Sequence, residues 1–194
     1  MADIFTSTLE KAAKQNIVPA KTLDAREWFR EEAKTIRATP NKILSEKSLH
    51  FTNSPFIGRM YMFTYDPKTK EDLPYYDTFP MIFMIEKYSD GFLGINLHYL
   101  PHILRAKLMD ALYRLSNNRK YDASTKLKIS YDILKSASRY KYIRPCVKRY
   151  LLSHMHSRFV EIDASKWDIA LFLPLERFKK AGKNKVWAES RRMI

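Results

Sequence analysis

The sequence is poor in cysteine and glycine and has no long hydrophobic run. The single cysteine, Cys146, excludes an internal disulfide and a four-cysteine zinc site, so a reducing compartment is expected. With only 4 glycines, the chain is neither collagen-like nor a glycine-rich linker. No apolar run approaches the roughly 20 residues of a membrane-spanning helix, and the N-terminus lacks the pattern of a secretory signal. We therefore expect no membrane partner.

Acidic residues are scarce in the second half of the chain. Residues 1–100 hold 13 basic and 13 acidic side chains, whereas residues 101–194 hold 22 basic and 8 acidic ones. The second half therefore carries the whole net charge of +14. Such asymmetry predicts a surface that faces a polyanion or an acidic protein. A solvated basic surface is the alternative, because a positive field does not identify its ligand.

The motifs of common enzyme classes are also missing. The chain has no GxxxxGK[ST] loop, no GxGxxG turn, no GxSxG nucleophile elbow and no HExxH metal motif. The weak exception is VEIDASK, in which Glu161, Asp163 and Lys166 resemble a nuclease cluster with loose lysine spacing. We expect no catalytic residue, no bound metal and no cofactor.

Sequence patterns predict an α+β fold. Three aromatic and apolar runs of strand length lie at 56–65, 79–85 and 92–99, separated by segments rich in turn-forming residues. They predict a small antiparallel aromatic-rich sheet or an SH3-like barrel, flanked by helices. We divide the chain into an N-terminal helical arm, residues 1–50, and a single α+β domain, residues 51–194, with a basic helical C-terminal half.

Helical patterns lie on both sides of the predicted strands. Asp24 and Glu27 form a capping-box pattern that begins a helix over 24–37, and Pro40 suits the first turn of a second helix. After Pro101, leucines and isoleucines recur at a helical period.

The last third of the chain mixes both patterns. Further helices are predicted at about 124–138 and 144–153, the second begun by Arg144-Pro145. The segment 158–163 alternates like a strand. The basic tail, residues 175–194, is predicted to be partly helical.

The basic residues of the second half form two clusters. The first has no acid from Arg139 to Val160, and its tyrosines are either core residues or stacking platforms for bases. In a helix, Arg144 and Lys148 would lie one turn apart and could follow one phosphate strand. The second cluster, near the C-terminus, is a candidate binding segment or a solvated tail. The candidate nucleic-acid-binding residues are Arg139, Lys141, Arg144, Lys148, Arg149, Arg158, Lys179, Lys180, Lys183 and Lys185.

Several segments resemble virion proteins of contractile-tailed bacteriophages of the T-even type. The resemblance rests on GRMYMFTYDPKTKEDLPYYDTFPMIFMI, GFLGINLHYLPHILRAKLMDALY, WDIALFLPLERFKK and VWAESRRMI, and it covers roughly residues 57–194. Within that set it is nearest to the small basic proteins that protect DNA ends, and tail, neck or baseplate components are the rival. It transfers no catalytic residue.

The resemblance implies a non-enzymatic virion protein, made in the bacterial host cytoplasm, that binds double-stranded DNA or its ends through a basic C-terminal half. The main alternative is a structural tail, neck or baseplate protein that docks on acidic neighbouring subunits. A nuclease is the weaker alternative. Other virion subunits are expected partners, and a homo-oligomer is left open.

Overall fold

Two antiparallel sheets form the β-part of the fold. The computed structural model describes residues 3–17, 22–116, 131–139, 141 and 143–192. Its strands are β1 (His50–Thr52), β2 (Met60–Met62), β3 (Tyr76–Asp77), β4 (Met81–Lys87), β5 (Gly91–Asn96), β6 (Val147–Leu151), β7 (Phe159–Ile162) and β8 (Phe178–Lys179). Six of them form one sheet in the order β1-β7-β2-β4-β5-β6, and β3 pairs with β8. The α+β class is confirmed, but the six-stranded sheet is open, so the SH3-like barrel alternative is wrong.

Helices flank these strands on both sides in the chain. They are α1 (Ile4–Lys14), α2 (Leu23–Thr35), α3 (Pro40–Ser45), α4 (His102–Ser116), α5 (residues 131–137), α6 (Trp167–Ala170) and α7 (Lys183–Arg192). The helices predicted near 24–37, at Pro40 and after Pro101 are confirmed. The cap of α2 is nevertheless Thr22, whose side chain accepts a hydrogen bond from the Ala25 amide, so the predicted capping box is wrong.

One predicted helix is a strand. Residues Arg144–Cys146 make a short 3₁₀ turn, and the chain then enters β6 instead of continuing as a helix to residue 153. β6 pairs with β5, and this pairing sets Tyr150 opposite Phe92. Tertiary pairing therefore overrides the local proline signal. Of the helix predicted at 124–138, residues 131–137 are helical, and residues 124–130 lie outside the described residues.

The six-stranded sheet is strongly curved. The rings of Phe92 in β5 and Phe159 in β7 lie 5.3 Å apart between centroids, although three strand spacings, about 14 Å in a flat sheet, separate these strands. The curve encloses an aromatic cluster in which Phe63 makes edge-on contacts with four rings. Aromatic packing therefore holds the position of β6 at the end of the sheet.

A second core joins the sheet to the helices. Phe5 of α1, Phe29 of α2 and Ile43 of α3 are all buried in one cluster with Met60 and Ile95 of the sheet. The two predicted parts, residues 1–50 and 51–194, share this core. Their division at residue 50 stays a prediction. None of the helices in the described segments is long and apolar enough to span a bilayer.

Candidate nucleic-acid interface

An open cleft of about 390 Å³ lies between β6 and the loop that follows Tyr65. Its basic lining residues are Lys68 of the loop and Lys148 and Arg149 of β6. Its aromatic lining consists of four tyrosines from four parts of the chain: Tyr65, Tyr76, Tyr99 and Tyr150. The cleft thus combines cationic groups with flat aromatic surfaces, the two features that bind nucleotides. We call it the β6 cleft.

Lys148 is the unusual cation of the β6 cleft. Its side chain is half-buried, and its ammonium nitrogen lies 4.3 Å from the centroid of the Tyr99 ring. Burial lowers the pKa of Lys148 below its ordinary value. Among the described residues, no carboxylate lies within 4.0 Å of this ammonium. A partly desolvated cation without a counter-ion attracts an anion from solution.

The acidic residue that lines the β6 cleft, Asp77, already has hydrogen-bond partners within the protein. Asp77 is buried, and one of its carboxylate oxygens lies 2.7 Å from His98 Nδ1 and accepts a hydrogen bond from the Asn96 amide at 3.1 Å. The other oxygen accepts from the backbone amides of Phe79 and Arg177. Asn96 also donates to the Tyr150 hydroxyl at 3.1 Å. Asp77 therefore stabilises the wall of the cleft, and both of its carboxylate oxygens are engaged by partners within the protein.

The tyrosines of the β6 cleft differ in exposure. Tyr65, Tyr99 and Tyr150 are 6%, 4% and 4% exposed, whereas Tyr76 is half-buried. The Tyr65 hydroxyl accepts a hydrogen bond from the Leu151 amide at 3.2 Å, and burial raises the pKa of Tyr99 and Tyr150 above the ordinary value. Three rings therefore form fixed walls, and Tyr76 is the ring that solvent reaches.

Five of the six residues of the first basic cluster lie along one run of the chain, from Arg139 to Arg149. Arg139, Lys141 and Arg144 are exposed and precede β6, so the predicted helical alignment of Arg144 with Lys148 is wrong. Arg149 is exposed, forms an ion pair with Asp90 and lies over the Tyr88 ring.

Arg158 lies away from this run. It is exposed immediately before β7, with its guanidinium carbon 5.1 Å from the centroid of the Phe51 ring. Of the cluster's tyrosines, Tyr150 is a core residue, and Tyr140 and Tyr142 lie outside the described residues.

The second basic cluster divides into two groups. Lys179 in β8 is opposite Tyr76, which lines the β6 cleft. Lys180 donates to the carbonyls of Lys70, Glu71 and Leu73 at 2.7, 2.7 and 3.2 Å, so it anchors the loop beside the cleft. The other group, Lys183 and Lys185, is exposed on α7.

Lys68 and Tyr76 of the β6 cleft were not among the sequence candidates for nucleic-acid binding. Lys68 lies in the DPKTK loop, within the half of the chain that has no net charge. Tyr76 lies beside Tyr75, which is buried against Tyr99 and Phe178. The loop composition was the available signal for both, but it does not reveal that the loop lies against β6.

In the weak nuclease motif, Lys166 and Asp163 form a long ion pair of 4.0 Å, and Glu161 has a different partner. Glu161 forms an ion pair with Arg59, and Lys166 donates to Asp3 at 2.7 Å. Asp163 is exposed. Within the described part of the chain, no three histidine, cysteine or acidic side chains converge to hold a metal ion.

The fold and the β6 cleft define a basic α+β protein with a cleft lined by aromatic and cationic side chains. A family model described as Phage T4 terminal DNA protecting protein matches residues 1–190, and the chain belongs to that family. Searches of the curated proteins and of the solved structures found no match. The match includes the first 50 residues, which the sequence resemblance did not cover. The family match supports a DNA-end protector, the nearest of the phage proteins that the sequence resembles.

Proposed function

We propose that this protein is a non-enzymatic component of the phage particle that binds the ends of double-stranded phage DNA through its basic face. The observation that carries the proposal is the β6 cleft, in which Lys148 has no carboxylate partner among the described residues. The family match supplies the ligand, because proteins of this family are described as protecting terminal DNA.

The electrostatics of the described residues support a phosphate ligand. Arg139, Lys141 and Arg144 are exposed on the run that leads into β6, and Arg149 follows within the strand. Each cation that neutralises a phosphate releases a condensed counter-ion, which favours binding at low salt. Such contacts carry no base preference, which suits a protein that must accept whatever sequence lies at an end.

The proposal assigns no catalytic step to the chain. Protection of an end requires only that the protein occupy the place from which an exonuclease starts. The corresponding location is the virion, and the protein is made in the bacterial host cytoplasm. Contacts with other virion subunits and a homo-oligomer stay predictions.

An exonuclease-protection assay tests the proposed function. Linear duplex DNA is incubated with the full chain and then with a processive exonuclease that starts at ends. We expect the protein to delay digestion at stoichiometric ratios to ends, and added linear DNA to reverse the delay more effectively than added circular DNA. Digestion at an unchanged rate, with the protein in excess over ends, would contradict the proposal.

A further inference from the structure

We propose that the β6 cleft holds the terminal nucleotide of a DNA end, with the base against Tyr76 and a phosphate at the Lys148 ammonium. This inference rests on the proposed function and names the part of the surface that distinguishes an end from continuous duplex.

The size and lining of the cleft fit one nucleotide. A volume of about 390 Å³ lies within the range of small-molecule sites, about 300–1,000 Å³. Pro67 and Leu73 add apolar surface on the loop side, opposite the cations of β6. An aromatic and apolar wall opposite cationic groups matches a nucleotide, which has a flat base and an anionic phosphate.

Lys148 is the phosphate-binding group of this arrangement. Its ammonium is held over the Tyr99 ring, and within the described residues it has no neutralising carboxylate. Lys180, by contrast, donates to three loop carbonyls, so its donors serve the loop. A bound phosphate would offset the free-energy cost of desolvating the Lys148 ammonium.

Tyr76 is the stacking surface. Of the four tyrosines in the cleft, it alone is half-buried, and its backbone is fixed by pairing with Lys179 in β8. The Tyr150 ring stacks on Phe92 at 5.3 Å, and its hydroxyl accepts from Asn96, so it belongs to the rigid wall. A wall formed before binding reduces the entropy lost when a nucleotide is ordered.

The preference for an end follows from the stacking of DNA. A nucleotide inside a duplex is stacked on both sides and must be unpaired and flipped to enter a cleft. A terminal nucleotide has only one stacking neighbour and frays readily. The same cleft therefore binds an end more tightly than an internal site. The surrounding cations bind the phosphate backbone equally at both places.

The test compares two DNA ligands of the same sequence with the full chain. One is a hairpin duplex with a single blunt end, and the other is a dumbbell duplex closed by a loop at each end. Fluorescence anisotropy should show the hairpin bound about tenfold more tightly than the dumbbell. Deoxyadenosine 5′-monophosphate at millimolar concentration should compete with the hairpin and not with the dumbbell.

Three variants locate the preference within the molecule. Lys148→Met and Tyr76→Leu should each reduce the hairpin affinity to the dumbbell level. Lys185→Met is the matched control, because it removes an exposed cation of α7 outside the cleft and should weaken both ligands equally. Lys148→Met replaces a desolvated charge with an apolar chain of similar length, so an unchanged or higher melting temperature confirms folding.

The outcomes separate the inference from the proposed function. If the hairpin preference survives in both Lys148→Met and Tyr76→Leu, the protein binds ends and the cleft assignment is wrong. If neither DNA binds at about 50 mM salt, the proposed function fails and the inference fails with it.

Discussion

Arg105 and Glu176 form a buried ion pair that ties α4 to the segment before β8. Arg105 Nη2 lies 2.5 Å from Glu176 Oε1, and the two side chains are 0% and 2% exposed. The other nitrogens of Arg105 also donate, Nε to the Leu100 carbonyl and Nη1 to the Leu171 carbonyl. A buried pair supported by these further hydrogen bonds favours one arrangement of these elements.

Removing the charge of Glu176 should destabilise the protein strongly. Glu176→Gln leaves Arg105 as a buried cation without its counter-ion, and breaking a buried pair in this way costs about 3–5 kcal/mol. Urea denaturation should show this loss in the free energy of unfolding. Glu10→Gln, at an exposed position on α1, is the control and should change it by less than about 0.5 kcal/mol.

The same pair predicts a loss of stability in acid. Burial opposes ionisation of Glu176, but His102 and Arg105 more than offset it and hold its pKa well below the ordinary value of 4.5. A carboxylate with a depressed folded-state pKa contributes stability above its unfolded-state pKa and loses it as the pH falls below that value. Unfolding free energies measured from pH 6 to pH 3 should fall below about pH 4.5, and less steeply in Glu176→Gln. Parallel profiles for the two proteins would contradict this assignment.

A side chain at Gly91 should force β5 and β6 apart. A Cβ atom there would lie 2.0 Å from the Tyr150 carbonyl oxygen, which is backbone and cannot turn away. Gly91→Ala should therefore lower the free energy of unfolding by about 1–3 kcal/mol, the usual cost of overpacking. Calorimetry should show a smaller effect for Gly182→Ala, because nothing lies within 4 Å of a Cβ at that position.

Phe63 should be the most sensitive residue of the aromatic cluster. Its ring lies 5.3–6.2 Å from the rings of Tyr65, Phe92, Tyr150 and Phe159, and it is fully buried. Phe63→Ala should cost about 3–5 kcal/mol of unfolding free energy through the lost packing and the cavity. Phe56, 56% exposed, is the matched control, and Phe56→Ala should be nearly neutral in chemical denaturation.

The outcome of the sequence predictions depended on whether local or long-range contacts decide the structure. Pro40 and Pro101 marked helix starts correctly, because proline fixes the backbone torsion at the first turn regardless of tertiary context. The same signal at Pro145 was overridden by β6 pairing with β5, a contact with a segment more than 50 residues earlier in the chain. Sequence spacing contains no information on such a contact.

The candidate site follows the same pattern. Lys148 and Arg149 were identified by their place in an acid-free run, which is a local property. Lys68 and Tyr76 come from a segment that the fold brings against β6, so charge counting within one stretch could not reveal them. The β6 cleft is therefore a tertiary feature, and only part of it was predictable.

The last prediction concerns the salt dependence of DNA binding. Log affinity for duplex DNA should fall linearly with log salt concentration, since each neutralised phosphate contributes about 0.9 to the slope. Replacing Arg144, Lys148 and Arg149 together by Gln should reduce that slope by roughly 2–3. All three residues lie on or next to β6, and Arg144 and Arg149 are exposed, so this loss can occur without unfolding. The control replaces Lys11, Lys34 and Lys42 of the N-terminal helices by Gln, which removes the same charge from the half of the chain that has no net charge. An equal reduction of the slope in this control would show that net charge, and not the run that leads into β6, determines the affinity for DNA.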